Sequence, residues 1–176
     1  MGSEMCIRDS LQTIGHSFSS VRAHLDAINY VGPLREHPRR FYETSSELPA
    51  SVGARGQNTS NLLRANWDDY RDELNKWVRA FEFGEELLLE EQSEEVFTMQ
   101  FRERKSRAKR NIADAGFGAS QVLPLIAQAI TARSSSLTIA EQPEIHLNPR
   151  LQSTFCLLYT SPSPRDATLS RMPSSA

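Results

Sequence analysis

The feature that most constrains this chain is a short apolar strand that ends on a carboxylate, set behind a glycine turn. Leu137-Thr138-Ile139-Ala140 runs directly into Glu141, and some 20 residues upstream Gly116-Phe117-Gly118 leads into a helix that carries Ser120 near its start. Free N–H groups and the helix dipole at such a start favour an anion. Sheets of α/β proteins place their ligand-binding residues at the C-terminal ends of strands. A phosphate-binding helix end beside a strand-end carboxylate is the arrangement that a nucleoside triphosphate and Mg2+ require. The pair therefore points to an α/β fold.

The remaining elements follow from periodicity and punctuation. Phe18 to Leu25 is expected to be a short helix with Ser17 as its cap, and Ile28-Asn29-Tyr30-Val31 a strand ended by Gly32-Pro33. Residues 34–58 are polar and broken by Pro38, Pro49, Gly53 and Gly56, which reads as loop. Thr59 to Ala65 is a short helix candidate, with Asn66 as the cap of the next helix. There Trp67, Tyr70, Leu74, Trp77, Val78 and Phe81 fall on one face of a 3.6-residue period. Asp68 and Asp69 suit its first turn. Glu86 to Glu90 and the alternating Phe97, Met99 and Phe101 predict two strands joined by a hairpin turn at Gln92-Ser93-Glu94, and Lys109 to Ala113 a third. Gly116 and Gly118 are expected to form a turn before a helix from about Ser120 to Ala132, with Pro124 in its first turn, where few N–H groups have helical partners. Leu137 to Ala140 reads as a buried strand. There is no internal repeat.

Composition narrows the class. The chain has 176 residues, 39% hydrophobic and 24% charged, with a net charge of −2. That suits one domain with a core and excludes collagen-like, strongly basic or low-complexity chains. No apolar run approaches the roughly 18 residues of a membrane helix, and the expected setting is cytoplasmic. The ends stand apart. Met1 to Ser10, and Cys156 to Asp166 with Ser170 to Ala176, back-translate into sequences that resemble transposase and flow-cell sequencing adapters. The expected division is therefore 1–10 adapter-derived, 11–155 native and 156–176 adapter-derived. Both cysteines fall in the end segments, so residues 11–155 carry no disulfide, thiol nucleophile or Cys-ligated metal.

Two longer stretches carry a resemblance. Gly116-Phe117-Gly118-Ala119-Ser120-Gln121-Val122-Leu123-Pro124 resembles the signature motif of ABC-type ATPases of the chromosome-maintenance and overcoming-lysogenization group, in particular bacterial AAA-family ATPases of defence-type operons. Leu137 to Pro149 resembles that family's Walker B strand with the loop that follows. Tyr30-Val31-Gly32-Pro33-Leu34-Arg35 with Pro38, Arg40 and Tyr42, and Gly53-Ala54-Arg55-Gly56-Gln57-Asn58-Thr59, resemble segments these ATPases carry between their halves. The resemblance implies part of an ABC-type P-loop NTPase lobe with an inserted helical and β-hairpin region, and ATP and Mg2+ as cofactors. It places Gly116, Gly118, Ala119, Ser120 and Gln121 against the nucleotide of a second subunit, Gly118 and Ser120 at its γ-phosphate. Glu141 takes the Mg2+ position, and Gln142 stands where most such ATPases have the glutamate that polarises the attacking water. A Gln positions water but cannot accept its proton, which leaves that work to Glu141 or Glu144. His146 and Asn148 fall in the inter-subunit loop, where relatives often have two histidines. No GxxxxGK[ST] loop occurs in the chain, so the Walker A half is missing from it.

The function this implies is ATP binding and hydrolysis in a head-to-tail homodimer formed through ATP, in DNA-linked or defence processes, by the full-length protein. The alternative is a nucleic-acid or protein-binding module on a degenerate ATPase core. Its motive is Gln142 and the run Arg102 to Arg110, which has six basic residues and one acid and could touch DNA or RNA. The ordinary reading of that run is a solvated hairpin. Arg35, Arg39 and Arg40 suit phosphate contacts and surface salt bridges equally well.

Overall fold

The computed structural model describes residues 18–133, 136–145 and 147–160. A first helix, α1 (residues 18–26), turns at Ala27 into strand β1 (Ile28–Val31). After a long loop holding the two-residue strand β2 (Tyr42–Glu43) come helices α2 (Thr59–Ala65) and α3 (Trp67–Ala80). Strands β3 (Glu86–Glu91), β4 (Val96–Arg102) and β5 (Lys109–Asn111) follow. A 3-10 turn at Ile112–Asp114 leads to helix α4 (Gly116–Thr131), strand β6 (Leu137–Ala140) and helix α5 (Pro149–Thr160).

There are two sheets. β1 and β6 pair in parallel, with Ile28 opposite Leu137 and Val31 opposite Ala140, so the chain between them is one long crossover. The other sheet is antiparallel and centred on β4. β3 runs along one edge from Glu86↔Arg102 to Glu91↔Phe97, while β2 and β5 share the other. The fold is thus mixed α/β, and the helical pair with the hairpin is inserted between the two strands of the parallel sheet.

The core lies between α3, α4 and the β4 sheet. The stripe on α3 is buried as its period demands: Tyr70, Leu74, Trp77, Val78 and Phe81 meet Leu87, Phe97, Met99 and Phe101 from the sheet and Val122, Ile126 and Ile130 from α4. Two buried amides tie the layers. Asn75 Oδ1 accepts from the Leu87 N–H at 2.7 Å, and Gln128 Oε1 accepts from the Val52 N–H at 3.1 Å. Without those bonds two backbone donors would be stranded in the core.

Several local expectations shift. α4 begins at Gly116 rather than Ser120, which moves Pro124 from the first turn into the helix interior. A proline there removes one helical hydrogen bond and crowds the preceding turn. Its ring is accommodated by Gly56, where an added Cβ would lie 2.8 Å from Pro124 Cγ. The loop over residues 34–58 contributes β2, and β5 stops at Asn111 because Asn111 Oδ1 accepts from the Ala113 N–H and opens the 3-10 turn. Asn66 stands between α2 and α3, but its side chain turns back to donate to Leu62 O instead of capping α3. β6 is not buried: Leu137 and Ile139 are exposed, as are Ile28 and Tyr30 beside them, so only the Val31 and Ala140 side of the pair meets the core. The helix expected over Phe18 to Leu25 is present, while its Ser17 cap lies outside the described residues.

Gly56 combines a φ of +72° with contact on Pro124. Gly56→Ala should lose about 2–4 kcal/mol in urea unfolding, from left-handed strain plus overpacking. Adding Pro124→Ala should recover the packing part and leave the strain.

Candidate functional site

The strand end is held from several sides. In-register pairing lets the Glu141 N–H donate to Val31 O at 2.9 Å, which prolongs the ladder by one rung. Arg35, only 4% exposed, donates from Nη2 to Glu141 O at 2.8 Å. The Tyr30 hydroxyl donates to the Glu141 carboxylate, and partial desolvation together with that carboxylate pushes the phenol above its ordinary pKa. The chain then breaks sharply at Gln142, whose φ of +44° is rare for a side chain of its size. The Ile145 N–H donates to Gln142 O and the Leu147 N–H to Glu144 O, so the segment after β6 is wound into turns. Glu141, Gln142 and Glu144 are all exposed and lie together on this corner. His146 lies outside the described residues. Asn148 acts structurally, since its Oδ1 accepts from the Leu151 N–H at 3.0 Å and caps α5 just ahead of Pro149.

The glycine turn is built next to it. Arg40 grips Asp114 with both guanidinium nitrogens, at 2.7 and 3.0 Å, and Asn111 Nδ2 donates to Arg40 O. Gly116 takes a φ of +76° with open space around it, so the backbone angle, not crowding, calls for glycine there. Gly116 and Phe117 are exposed and Gly118 is half-buried, whereas Ala119, Ser120 and Gln121 face inward. The Ser120 hydroxyl donates to Phe117 O at 2.7 Å, and Gln121 Nε2 approaches it at 3.5 Å. The surface that the turn offers is therefore the backbone of Gly116 to Gly118. Of the five residues expected against a nucleotide, Gly116 is exposed and Gly118 half-buried, and Ala119, Ser120 and Gln121 lie buried in the helix.

One segment joins the two motifs. Gly32 N and Glu36 N donate to Ala54 O and Arg55 O, which fastens the Gly32-Pro33-Leu34-Arg35 stretch to the Gly53–Gly56 loop. From that base Arg35 reaches Glu141, the His37 ring packs 5.2 Å from the Phe117 ring, and Arg40 reaches Asp114. Beneath the same segment is a cavity of about 460 Å3, between Thr44, Ser60, Met99, Phe101, Ser120 and Pro124. Burial raises the pKa of Tyr42 at its rim, opposed by the hydrogen bond its oxygen accepts from the Arg39 N–H. The sequence leaves Arg35, Arg39 and Arg40 undivided between phosphate contacts and salt bridges. The structure gives Arg35 to the strand end, Arg40 to the turn and Arg39 to an exposed pair with Glu36. Tyr30 reads in the sequence only as a strand residue, and nothing in its spacing announces its bond to Glu141.

The basic run is largely neutralised. Arg102 pairs with Glu86, Arg104 with Glu85, Lys109 with Glu90 and Arg110 with Glu103. Lys105 and Arg107, at the turn between β4 and β5, make no ion pair among the described residues.

No group of three or more His, Cys, Asp or Glu side chains able to hold a metal occurs among the described residues. Glu141 is an exposed carboxylate directly after the end of β6. No described helix is long and apolar enough to cross a membrane.

The mixed sheets, the glycine-led helix and the carboxylate at the strand end define an α/β domain of the P-loop NTPase type. The chain belongs to the family described as "AAA domain, putative AbiEii toxin, Type IV TA system", whose sequence model matches residues 14–169. No curated protein and no solved structure matches the chain. The matched span takes in Cys156 to Leu169, and α5 itself runs on from Phe155 to Thr160 with Leu158 in the core.

Two measurements check this geometry. An absorbance titration should show two tyrosines, Tyr30 and Tyr42, ionising above the ordinary value near 10, and Tyr30→Phe should remove one of the two late components while Tyr42 keeps the other. Because the folded value is the raised one, the Tyr30 bond contributes stability below about pH 10 that is lost as pH climbs through the folded value. A double-mutant cycle on Arg40→Ala and Asp114→Ala should return a coupling of about 0.5–1 kcal/mol, the upper range for an exposed but bidentate pair.

Proposed function

We propose that this chain is part of an ATPase that works as a head-to-tail homodimer in the full-length protein, with Glu141 at the Mg2+ position and the Gly116–Gly118 backbone facing the γ-phosphate of the partner's ATP. The observation that carries it is the convergence of two anion and cation elements on one short segment, Arg35 to Arg40, which touches both. ATP supplies the phosphoryl group and, with Mg2+, an electrophilic phosphorus. This chain's residues bind and orient. Glu141 holds the metal side, and the first N–H groups of α4 point toward added negative charge. Gln142 positions water through its amide, and the proton goes to Glu141 beside it or to Glu144 on the same corner. Family membership supports ATP as the ligand; the dimer, a defence or DNA-linked role and a cytoplasmic setting belong to the proposal. So does the reading of 1–10 and 156–176 as translated adapter, which the source DNA read past Leu11 and Phe155 decides.

A second reading is a nucleic-acid-binding module on a degenerate ATPase core. Lys105 and Arg107 favour it, since they project charge that the neighbouring acids leave uncompensated.

Mg2+-dependent ATP turnover separates the readings, measured with and without DNA on the chain and on the full-length protein. Glu141→Gln should lower kcat at least about 100-fold, and Gln142→Glu should raise it about 10-fold or more by supplying a base. Turnover untouched by Glu141→Gln would remove Glu141 from the site. DNA binding that is lost in Lys105→Ala/Arg107→Ala, in the absence of turnover, would favour the second reading.

A further inference from the structure

We propose that the segment from Tyr30 to Arg40 is a positioning strap, in which Arg35 and Tyr30 fix the Glu141 corner while Arg40 and His37 fix the glycine turn, so that the carboxylate and the anion-facing backbone keep one spacing. This deepens the ATPase reading and rests on it for the chemistry, although the strap itself is a matter of geometry.

The contacts are of unequal kind, and the difference is informative. Arg35 is a buried guanidinium that donates to a main-chain carbonyl, Glu141 O, at 2.8 Å. A charge-assisted bond made away from water is stronger than an exposed neutral one, so it holds that carbonyl firmly in place. The held carbonyl belongs to the last residue before the left-handed Gln142. A strained residue persists only when its surroundings over-determine it. Glu141 is over-determined: Val31 O receives its N–H, Arg35 donates to its carbonyl, and Tyr30 donates to its side chain. The backbone that carries the carboxylate is thereby fixed before any ligand arrives, which is preorganisation in the ordinary sense.

The far end of the strap works on the surface. Arg40 holds Asp114, two residues before Gly116, with a fork that fixes direction as well as distance. His37 lies against Phe117, inside the turn itself. The middle cannot slacken freely, because Pro33 and Pro38 restrict the backbone and Gly32 and Glu36 are bonded to Ala54 and Arg55. Gly32 permits that approach, since a Cβ there would lie 3.3 Å from Ala54 O. A shift at either motif is therefore passed to the other through a short, braced length of chain.

The test uses hydrogen exchange on the chain and steady-state kinetics on the full-length protein. Arg35→Met should speed exchange of amides 141–145 at least about 10-fold, as expected for loss of a buried charge-assisted bond, with α3 and β4 unchanged. Arg35→Lys, which keeps one donor, should restore most of the protection. Arg40→Asp should speed exchange over 113–118 several-fold, and Arg40→Asp with Asp114→Arg should reverse it. In turnover, Arg35→Met should lower kcat about 10- to 100-fold with KM changed less than about 3-fold, the mark of a misplaced group and not of lost binding. Exchange at 141–145 that matches wild type in Arg35→Met, or a uniform rise across α3 and β4, overturns the strap. Loss confined to KM overturns its positioning role. If wild type turns over no ATP, the ATPase reading falls and the exchange data decide the strap alone.

Discussion

Helix α4 is buried along nearly its whole length, and the rest of the structure is arranged around that fact. From Ala119 to Ile130 only Ala129 escapes full burial, so α2, α3, α5 and β6 must each cover part of it. A helix apolar all round cannot tolerate many polar atoms. The two amides it does carry, Gln121 and Gln128, sit at 1% and 2% exposure. Gln128 answers the Val52 N–H and so fastens the loop that bears Gly53 and Gly56. That loop in turn bonds to Gly32 and Glu36. The position of Arg35, and through it of Glu141, thus descends from the burial of α4.

The same burial explains where the functional surface can be. Only the first turn of α4 projects from the packed body, and its exposed residues are Gly116 and Phe117. Glycine serves there because the backbone must turn at positive φ and because a bare backbone leaves its N–H groups open. Serine at position 120 is one turn further in, and its hydroxyl closes the helix on Phe117 O.

How much of this the sequence shows depends on how local each cause is. The α3 stripe and the β3–β4 hairpin are legible because burial on one face imposes a period that the residues display directly. The bounds of β1 and α2 are equally plain, since Gly32-Pro33 and Asn66 punctuate them. The start of α4 is hard to place because its glycines look like breakers, yet a glycine in the first turn costs little where the helix lacks partners. Pro124 misleads for the complementary reason: what admits it is Gly56, far away in the chain. Exposure of Leu137 and Ile139 is illegible in principle, since an apolar strand reads the same whether or not a layer covers its outer face. At the site, Glu141 and the glycine turn stand out by type and spacing. Arg35 and Tyr30 do not, because their roles are set by which carbonyl and which carboxylate the tertiary fold brings beside them.

Gln142 shows how the local and tertiary causes meet. Its side chain is one oxygen-for-nitrogen exchange from a general base, but its backbone is the less ordinary part, being left-handed at the point where the chain leaves the sheet. An extended residue there would carry the strand onward and take Glu144 away from Glu141. The left-handed turn instead folds the chain back, so that Gln142, Glu144 and Glu141 share one exposed corner. Arg35 on Glu141 O and the turn bond from Ile145 N–H to Gln142 O hold the backbone on either side of the strained angle. The corner's chemistry therefore depends on the backbone angle at Gln142 as well as on its amide, and the bonds at Glu141 N and O brace the strand end beside that angle.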